Sequence, residues 1–271
     1  MRLVYLTDTH IQAGRPATRR DDFLAAVDVK LSEVVGLCRR LRVAAVIHGG
    51  DIFEKPVPER EAEEVFCRFL GELGLPFYCV AGNHDLFEQD IKSLSGTALG
   101  WMAQKGLVRL LNPGEKIYLE SGGITVQLSG QHFFGGMDRC RDKTCYTVTK
   151  ENCDYAVHVV HGMLLPSPFS DQVPCTLISE ISGTGADVTL GAHAHLGYRA
   201  EAGGKFFLNP GALARVTALE KELVRVPQIL LLDFSQSFSF NFIPLKNVRP
   251  GCEVMSFSRS KEGLREELLH G

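Results

Sequence analysis

The sequence has no long apolar run. None of its 271 residues lies in a stretch approaching the roughly 18 consecutive apolar residues of a membrane span. No export signal is expected: the sequence enters an apolar, strand-like run at Leu3-Val4-Tyr5-Leu6 without a signal-type hydrophobic segment, and a cytoplasmic location without a membrane partner is the expectation. It has no excess of basic charge. Lys and Arg number 29 against 32 Asp and Glu, a net charge of −3, which counts modestly against non-specific nucleic-acid binding by overall charge. It has no Cys-x-x-Cys pair. Its 8 cysteines, without an export signal, are not expected to form disulfides. Cys38, Cys67 and Cys79 fall in apolar patterns and read as core residues, while Cys140, Cys145 and Cys153 with His158 fit no standard zinc spacing. The single tryptophan, Trp101, is assigned to core packing.

What is present is a soluble-type composition, 45% apolar and 23% charged, long enough for one large domain or two small ones. The first half reads β-α-β-α-β. Strands are expected at 2–7, 43–47 and 77–81. A helix opens at Asp21-Asp22 with Phe23, Val27, Leu31, Val34, Cys38 and Leu41 on one face, and a second spans 59–73. A short helix over 95–105 and short strands at 107–111, 116–120, 124–128 and 130–134 follow, then a polar loop from Gly135 to Asn152. Further strands are expected at 155–160, 188–190, 197–201, 205–208, 229–234 and 238–243, with a helix over 177–183. Composition turns polar after about residue 246, and Ser260–His270 is patterned for one short amphipathic helix.

Five turns, most of them leaving these strands, carry Asp8 and His10, Asp51, Asn83 and His84, His161, and His193 and His195. Open α/β sheets place ligands at such strand ends. Imidazoles and hard oxygens without a thiolate suit Mn²⁺, Fe, Zn²⁺ or Mg²⁺. There are enough of them for two metal ions if one carboxylate bridges, and Asp51, with no candidate ligand adjacent, is the natural bridge. Two metals roughly 3.5–4 Å apart make a hydrolytic site for phosphoesters. His84 is placed to protonate the leaving oxygen, and Asp85 is the expected support for its imidazole.

Asp8-x-His10, Gly50-Asp51, Gly82-Asn83-His84-Asp85, His161-Gly162 and His193-x-His195 resemble, in order, the five blocks of the calcineurin-like metallophosphoesterases. The resemblance runs from residue 3 to about 211. It implies a four-layer α-β-β-α sandwich, two mixed sheets flanked by helices, over residues 1–246, with 247–271 a polar tail. It implies that Asp8, His10, Asp51 and His195 hold one metal, and that Asp51, Asn83, His161 and His193 hold the other. His84 would be the catalytic, non-ligand imidazole. One departure is Ala192 before His193, where the family usually has Gly; a slight backbone adjustment and an intact site are expected.

No Arg follows the second block until Arg60, unlike the protein-phosphatase branch. Arg19-Arg20-Asp21-Asp22-Phe23 and Gly49-Gly50-Asp51-Ile52-Phe53, with Pro56 and Pro58 behind, are similar to the Mre11/SbcD nuclease branch. That similarity implies a Mn²⁺-dependent DNA phosphodiesterase with an SMC-like ATPase partner; a homodimer is a further candidate state. Members of that branch continue well beyond such a core, so the chain reads as a nuclease core or as a smaller relative with another phosphodiester substrate. The alternatives are a small-molecule or cyclic-nucleotide phosphodiesterase or phosphatase and, remotely, a non-catalytic scaffold. Arg15, Arg19 and His132 are candidate substrate contacts, Arg19 against an ion pair at the helix entry and His132 against a core role; Arg20 shares the reading of Arg19. His48 and His158 read as buried structural histidines.

Overall fold

The computed structural model describes residues 1–256, apart from 171 and 218. The strands are β1 Arg2–Leu6, β2 Ala45–His48, β3 Phe77–Cys79, β4 Arg109–Leu110, β5 Ile117–Ser121, β6 Ile124–Gln131 and β7 Tyr155–Val160. Then come β8 Leu164–Leu165, β9 Thr176–Leu177, β10 Val188–Gly191, β11 Tyr198–Ala202, β12 Lys205–Asn209, β13 Gln228–Asp233 and β14 Ser239–Pro244. The α-helices are α1 Phe23–Leu41, α2 Arg60–Leu73, α3 Ala98–Gln104, α4 Glu220–Val224 and α5 Gly251–Val254.

Two six-stranded mixed sheets face each other, ordered β14-β13-β1-β2-β3-β4 and β11-β12-β10-β7-β6-β5. Within the first, β1 to β4 run parallel and β13 and β14 are antiparallel additions. Within the second, β12, β10, β7 and β6 are parallel, edged by antiparallel β11 and β5. The strands are apolar on both faces because both faces are covered. In β1, Leu3 and Tyr5 pack between the sheets with Ile47, Val157, Val159 and Leu190. Val4 and Leu6 point the other way, under Phe23, Val27 and Leu31 of α1 and Phe66 and Phe69 of α2.

The helix signals are local. Asp22 caps α1, its carboxylate accepting the Ala25 N–H at 3.0 Å. Gly74, at φ 60°, terminates α2 in the left-handed conformation that glycine adopts without strain. The two mixed sheets and flanking helices agree with the expected metallophosphoesterase fold. The outer layer over the second sheet is thin. Tyr146, Met137, Leu164 and Ile178 cover it from 3₁₀ turns and the β8–β9 ladder rather than from a long helix. Residues 135–152 have no 3.6-residue apolar period, so no amphipathic helix forms there.

Some elements differ from expectation. The strands expected at 124–128 and 130–134 are one strand, β6, passing through Gly130, where a Cβ would meet the Leu111 and Val80 side chains. The helix expected over 177–183 is one 3₁₀ turn, Ile178–Glu180. Trp101 is 49% exposed, not a core residue. Residues 249–256 pack onto the domain: Arg20 N donates to Val254 O at 2.9 Å, and Ser256 N to Thr18 O at 2.7 Å. The helix expected over 260–270 lies outside the described residues. Among the described residues no helix is long and apolar enough to cross a membrane.

Candidate active site

All five polar turns sit at the carboxyl ends of parallel strands, three from one sheet and two from the other. β1 delivers Asp8 and His10, β2 delivers Asp51, and β3 delivers Asn83 and His84. β7 delivers His161, and β10 delivers His193 and His195. Backbone bonds stitch these turns together. Asp8 N donates to Gly50 O at 3.2 Å and His10 N to Asp51 O at 3.0 Å. Leu213 N reaches Thr7 O and Ala212 N reaches His195 O, both at 3.0 Å, so the chain after Asn209-Pro210-Gly211 joins the first turn to the last. Asn209 reinforces it by donating to Ala194 O at 2.8 Å.

The turns are strained where they carry chemistry. Asp8, His10, Asp51 and His193 all have positive φ, at 52°, 44°, 52° and 65°. Non-glycine residues rarely adopt that region, and such outliers concentrate at functional sites. Glycines make room for them: a Cβ on Gly82 would collide with the Asp51 carboxylate and the His161 ring. Ala192 fits in place of the usual glycine. Its N–H still bonds Val160 O at 3.2 Å, and His193 N donates to Asp8 Oδ1 at 3.2 Å.

Three groups of side chains converge closely enough to share an ion: Asp8, His10 and His195; His10, Asp51 and His84; and Asp51, His161 and His193. Asn83 Oδ1 lies 3.2 Å from His161 Nε2. Two imidazoles have their outer nitrogens committed. His161 Nδ1 donates to Gly49 O at 2.7 Å, and His10 Nδ1 pairs with Glu54 Oε2 at 2.8 Å. Their Nε2 atoms therefore face inward. His10 Nε2 lies 3.1 Å from His195 Nε2, so two nitrogens approach one point. Asp51 Oδ2 is buried and has no hydrogen-bond partner among the described residues. It lies 3.3 Å from His161 Nε2, which can donate there only when the ring is charged, because the proton of the neutral ring sits on Nδ1 against Gly49 O. An orphaned carboxylate oxygen facing inward-turned nitrogens fits a cation.

The electrostatics agree. Burial opposes charging either ring, yet the Glu54 bond and the Asp51 charge raise His10 to about 9, and Asp51 and Asp8 raise His161 to about 9. Burial outweighs Coulomb attraction at His193, which falls to about 3, and lowers His195. Burial raises Asp8; it also opposes ionisation of Asp51, but His161 and His84 hold that carboxyl well below the usual range. Without a cation the carboxylates collect protons on the rings; a divalent ion replaces those protons.

The calcineurin-like phosphoesterase family model matches residues 1–197. The chain belongs to the calcineurin-like phosphoesterases. Membership supports a metal-dependent phosphoester hydrolase, and the family uses a dinuclear divalent site, for which the His and Asp groups above are suited. It is similar to the DNA double-strand break repair protein Mre11 of Haloferax volcanii, 27% identical over 82% of this chain and 47% of that protein. It is also similar to the Mre11 of Methanosarcina mazei, 26% identical over 91% of this chain and 39% of that one. The chain thus spans about half the length, or less, of these relatives. A dimetal phosphatase from Danio rerio shares the fold, with a TM-score of 0.60, 13% identity, and coverage of 92% of this chain and 97% of that one.

Around this phosphoesterase centre three expected roles need correction. Asp85 does not support His84. Its carboxylate accepts the N–H groups of Asp51 at 2.8 Å, Gly82 at 2.9 Å and Ile52 at 3.1 Å, because the second and third turns meet there. Arg19 is no substrate contact: it is 4% exposed, doubly bonded to Asp21, and donates to Arg215 O at 3.0 Å. Nor is His132, whose Nδ1 accepts the Ala81 N–H at 3.0 Å while Nε2 lies 3.3 Å from Asn112 Oδ1. It buttresses the strand that leads to Gly82. Arg15 is exposed on the loop after His10. His48 is buried as expected and bonded to Thr9 and Gly50.

Sequence reasoning missed Glu54. Besides holding His10, its carbonyl oxygen accepts His84 Nδ1–H at 3.0 Å. Its place three residues after Asp51 was the available signal.

Proposed function

We propose that the protein hydrolyses phosphodiester bonds with two divalent cations, Mn²⁺ foremost, and that its substrate is DNA, cut in the manner of an Mre11-type nuclease. The observation that carries the two-cation reading is Asp51 Oδ2, buried, without a hydrogen bond among the described residues, and placed 3.3 Å from His161 Nε2 and 3.9 Å from His10 Nε2. One ion is assigned to Asp8, His10, Asp51 and His195. The other is assigned to Asp51, Asn83, His161 and His193. When bound, the cations supply charge that promotes ionisation of water and draws charge from the phosphate oxygens.

The chain's own groups do the rest. His84 N donates to Asp51 Oδ1 at 2.8 Å, which fixes the imidazole beside the bridging carboxylate. His84 Nδ1–H is held by Glu54 O, so it is the imidazolium form that would give its Nε2 proton to the leaving oxygen, returning to the neutral ring with Nδ1–H still on Glu54 O. The ring belongs to a group that could also ligate, but it is the most accessible of that group, 26% exposed against 1% for His10 and Asp51. That exposure suits a group meeting substrate. Arg15 is assigned to a flanking phosphate.

The DNA reading is supported by the relatives, DNA double-strand break repair proteins matched over most of this chain. It brings a second copy of the chain and an SMC-like ATPase as candidate partners. The competing reading, a small nucleotide diester, is favoured by the net charge of −3. A panel with Mn²⁺ tests both: single- and double-stranded DNA, a cyclic nucleotide, bis-p-nitrophenyl phosphate and a phosphomonoester. Cleavage of DNA and the aryl diester, with the monoester spared, is expected. Turnover of bis-p-nitrophenyl phosphate with DNA left intact would sink the nuclease reading.

A further inference from the structure

Three consecutive backbone N–H groups between β12 and β13 hold the turns that carry Asp8 and His195. Ala212 N donates to His195 O at 3.0 Å, Leu213 N to Thr7 O at 3.0 Å, and Ala214 N to Asp8 O at 3.4 Å. Asp8 and His195 are assigned to the same ion. None of these three bonds reaches the turns of Asn83 or His161, which are assigned to the other.

Ala212, Leu213 and Ala214 are buried and have no polar side chain with which to fix themselves. Their carbonyls are held by one residue far from the motif turns in sequence. Arg225 Nη1 donates to Ala212 O at 2.6 Å, and Nη2 to Ala214 O at 3.2 Å. The same guanidinium makes a fork to Glu222, at 2.7 and 2.8 Å, and Glu222 is fully buried. Gly211 leaves the room this needs: a Cβ there would meet His195 O at 2.7 Å and Arg225 Nη1 at 3.3 Å.

Arg225 is itself fixed from outside. Arg215 Nε and Nη2 donate to Arg225 O at 3.0 and 2.7 Å, while Arg215 Nη1 donates to Arg249 O at 2.9 Å. A planar fork can hold two carbonyls and a carboxylate at once, whereas a lysine offers one point of donation. The 212–214 backbone is thus gripped on one side by Arg225 and bonded on the other to the two turns.

We infer that Arg225 is a positioning residue for one of the two ions. Through Ala212 and Ala214 it sets where the turns of Asp8 and His195 stand, and the ion assigned to Asn83, His161 and His193 does not depend on it. The inference rests on the two-cation reading and goes beyond it. An ion pair that served packing alone would not distinguish one ion from the other.

The test is a two-site Mn²⁺ titration of the metal-depleted protein. Removing Arg225 alone would strand the buried Glu222 carboxylate, so the first variant is the double replacement Arg225→Met with Glu222→Leu. One ion should bind about tenfold or more weakly, and the other within a few fold of the parent. Arg225→Lys, which keeps a charge beside Glu222 but cannot span both carbonyls, should weaken the same ion by less, and carries the test if the double variant does not fold. Arg249→Ala should bind both ions as the parent does, because Arg249 reaches Arg215 only through its carbonyl. In the metal-free double variant, hydrogen exchange should quicken at the amides of Ala212, Leu213 and Ala214 while those of β1 stay protected.

Equal weakening of both ions, or of neither, with the β1 amides still protected, overturns the inference. A parent that does not bind two ions removes the two-cation reading and this inference with it.

Discussion

The Asp85 carboxylate accepts the backbone N–H of Asp51 at 2.8 Å. The residue that ends the third motif turn therefore holds the backbone of Asp51, the proposed bridging residue, in the second. It also takes the N–H groups of Gly82 and Ile52, with a longer contact to Phe53 at 3.4 Å. Asp85→Ala would leave these buried donors unpaired, at about 1–3 kcal/mol each. Urea unfolding of the metal-free protein should show a loss of about 3 kcal/mol or more, with Asp85→Asn intermediate. A variant of unchanged stability that loses only turnover would return Asp85 to the role of supporting His84.

His84 and Asp51 should separate. His84→Ala is expected to keep both metal ions while turnover falls by roughly 10²–10⁴. Asp51→Asn should instead lose metal, because Oδ2 lies between His10 Nε2, at 3.9 Å, and His161 Nε2, at 3.3 Å. Metal analysis beside steady-state kinetics distinguishes them; loss of metal from His84→Ala would make that residue a ligand.

Glu54 fixes the His10 ring by its carboxylate and the His84 ring by its carbonyl. Removing a partner that orients a ligating imidazole weakens metal binding by roughly 10–100-fold. Glu54→Ala should show that loss in a Mn²⁺ titration. Glu54→Gln, which keeps an acceptor oxygen, should stay within a few fold of the parent. Equal loss in both variants would show that charge, not orientation, is what Glu54 supplies.

Lys30 lies buried in α1, 4% exposed. Burial, and then the nearby Arg19, Arg215 and Arg225, lower it from 10.5 to about 7. Between those values the unfolded chain binds a proton at this site that the folded chain does not. Stability should therefore rise with pH from about 7 to 10.5, and below 7 the cost of burying the ammonium is fully present. Lys30→Met should be the more stable protein at pH 7 and should flatten that part of the profile. An unchanged slope would mean that Lys30 titrates near its ordinary value in the folded state.

The sheets and the polar turns at their strand ends were legible because their signals are local. Both-face apolar runs such as Val43–Ile47 mark covered parallel strands, and each ends in a polar turn. What was not legible depends on contacts between turns. Asp85 follows His84 in sequence, yet its partners are the N–H groups of another turn, 32 to 34 residues away. Arg19 has the composition of a phosphate contact, but Asp21 two residues on captures it. Trp101 was expected inside by its type, although α3 buries Ala98, Leu99 and Met102 instead. Positive φ at Asp8, His10, Asp51 and His193 leaves only a weak trace in residue type, since none is glycine, although Asp and His adopt that region more readily than most side chains.

The central claim is that seven side chains, Asp8, His10, Asp51, Asn83, His161, His193 and His195, hold two cations that phosphodiester hydrolysis requires. The most direct measurement is a calorimetric Mn²⁺ titration of the metal-depleted protein, with diester hydrolysis followed on the same samples. Two ions per chain, with activity appearing as the second site fills and disappearing in chelator, is the predicted result. A single ion or none at saturation, or hydrolysis indifferent to chelator, would contradict it.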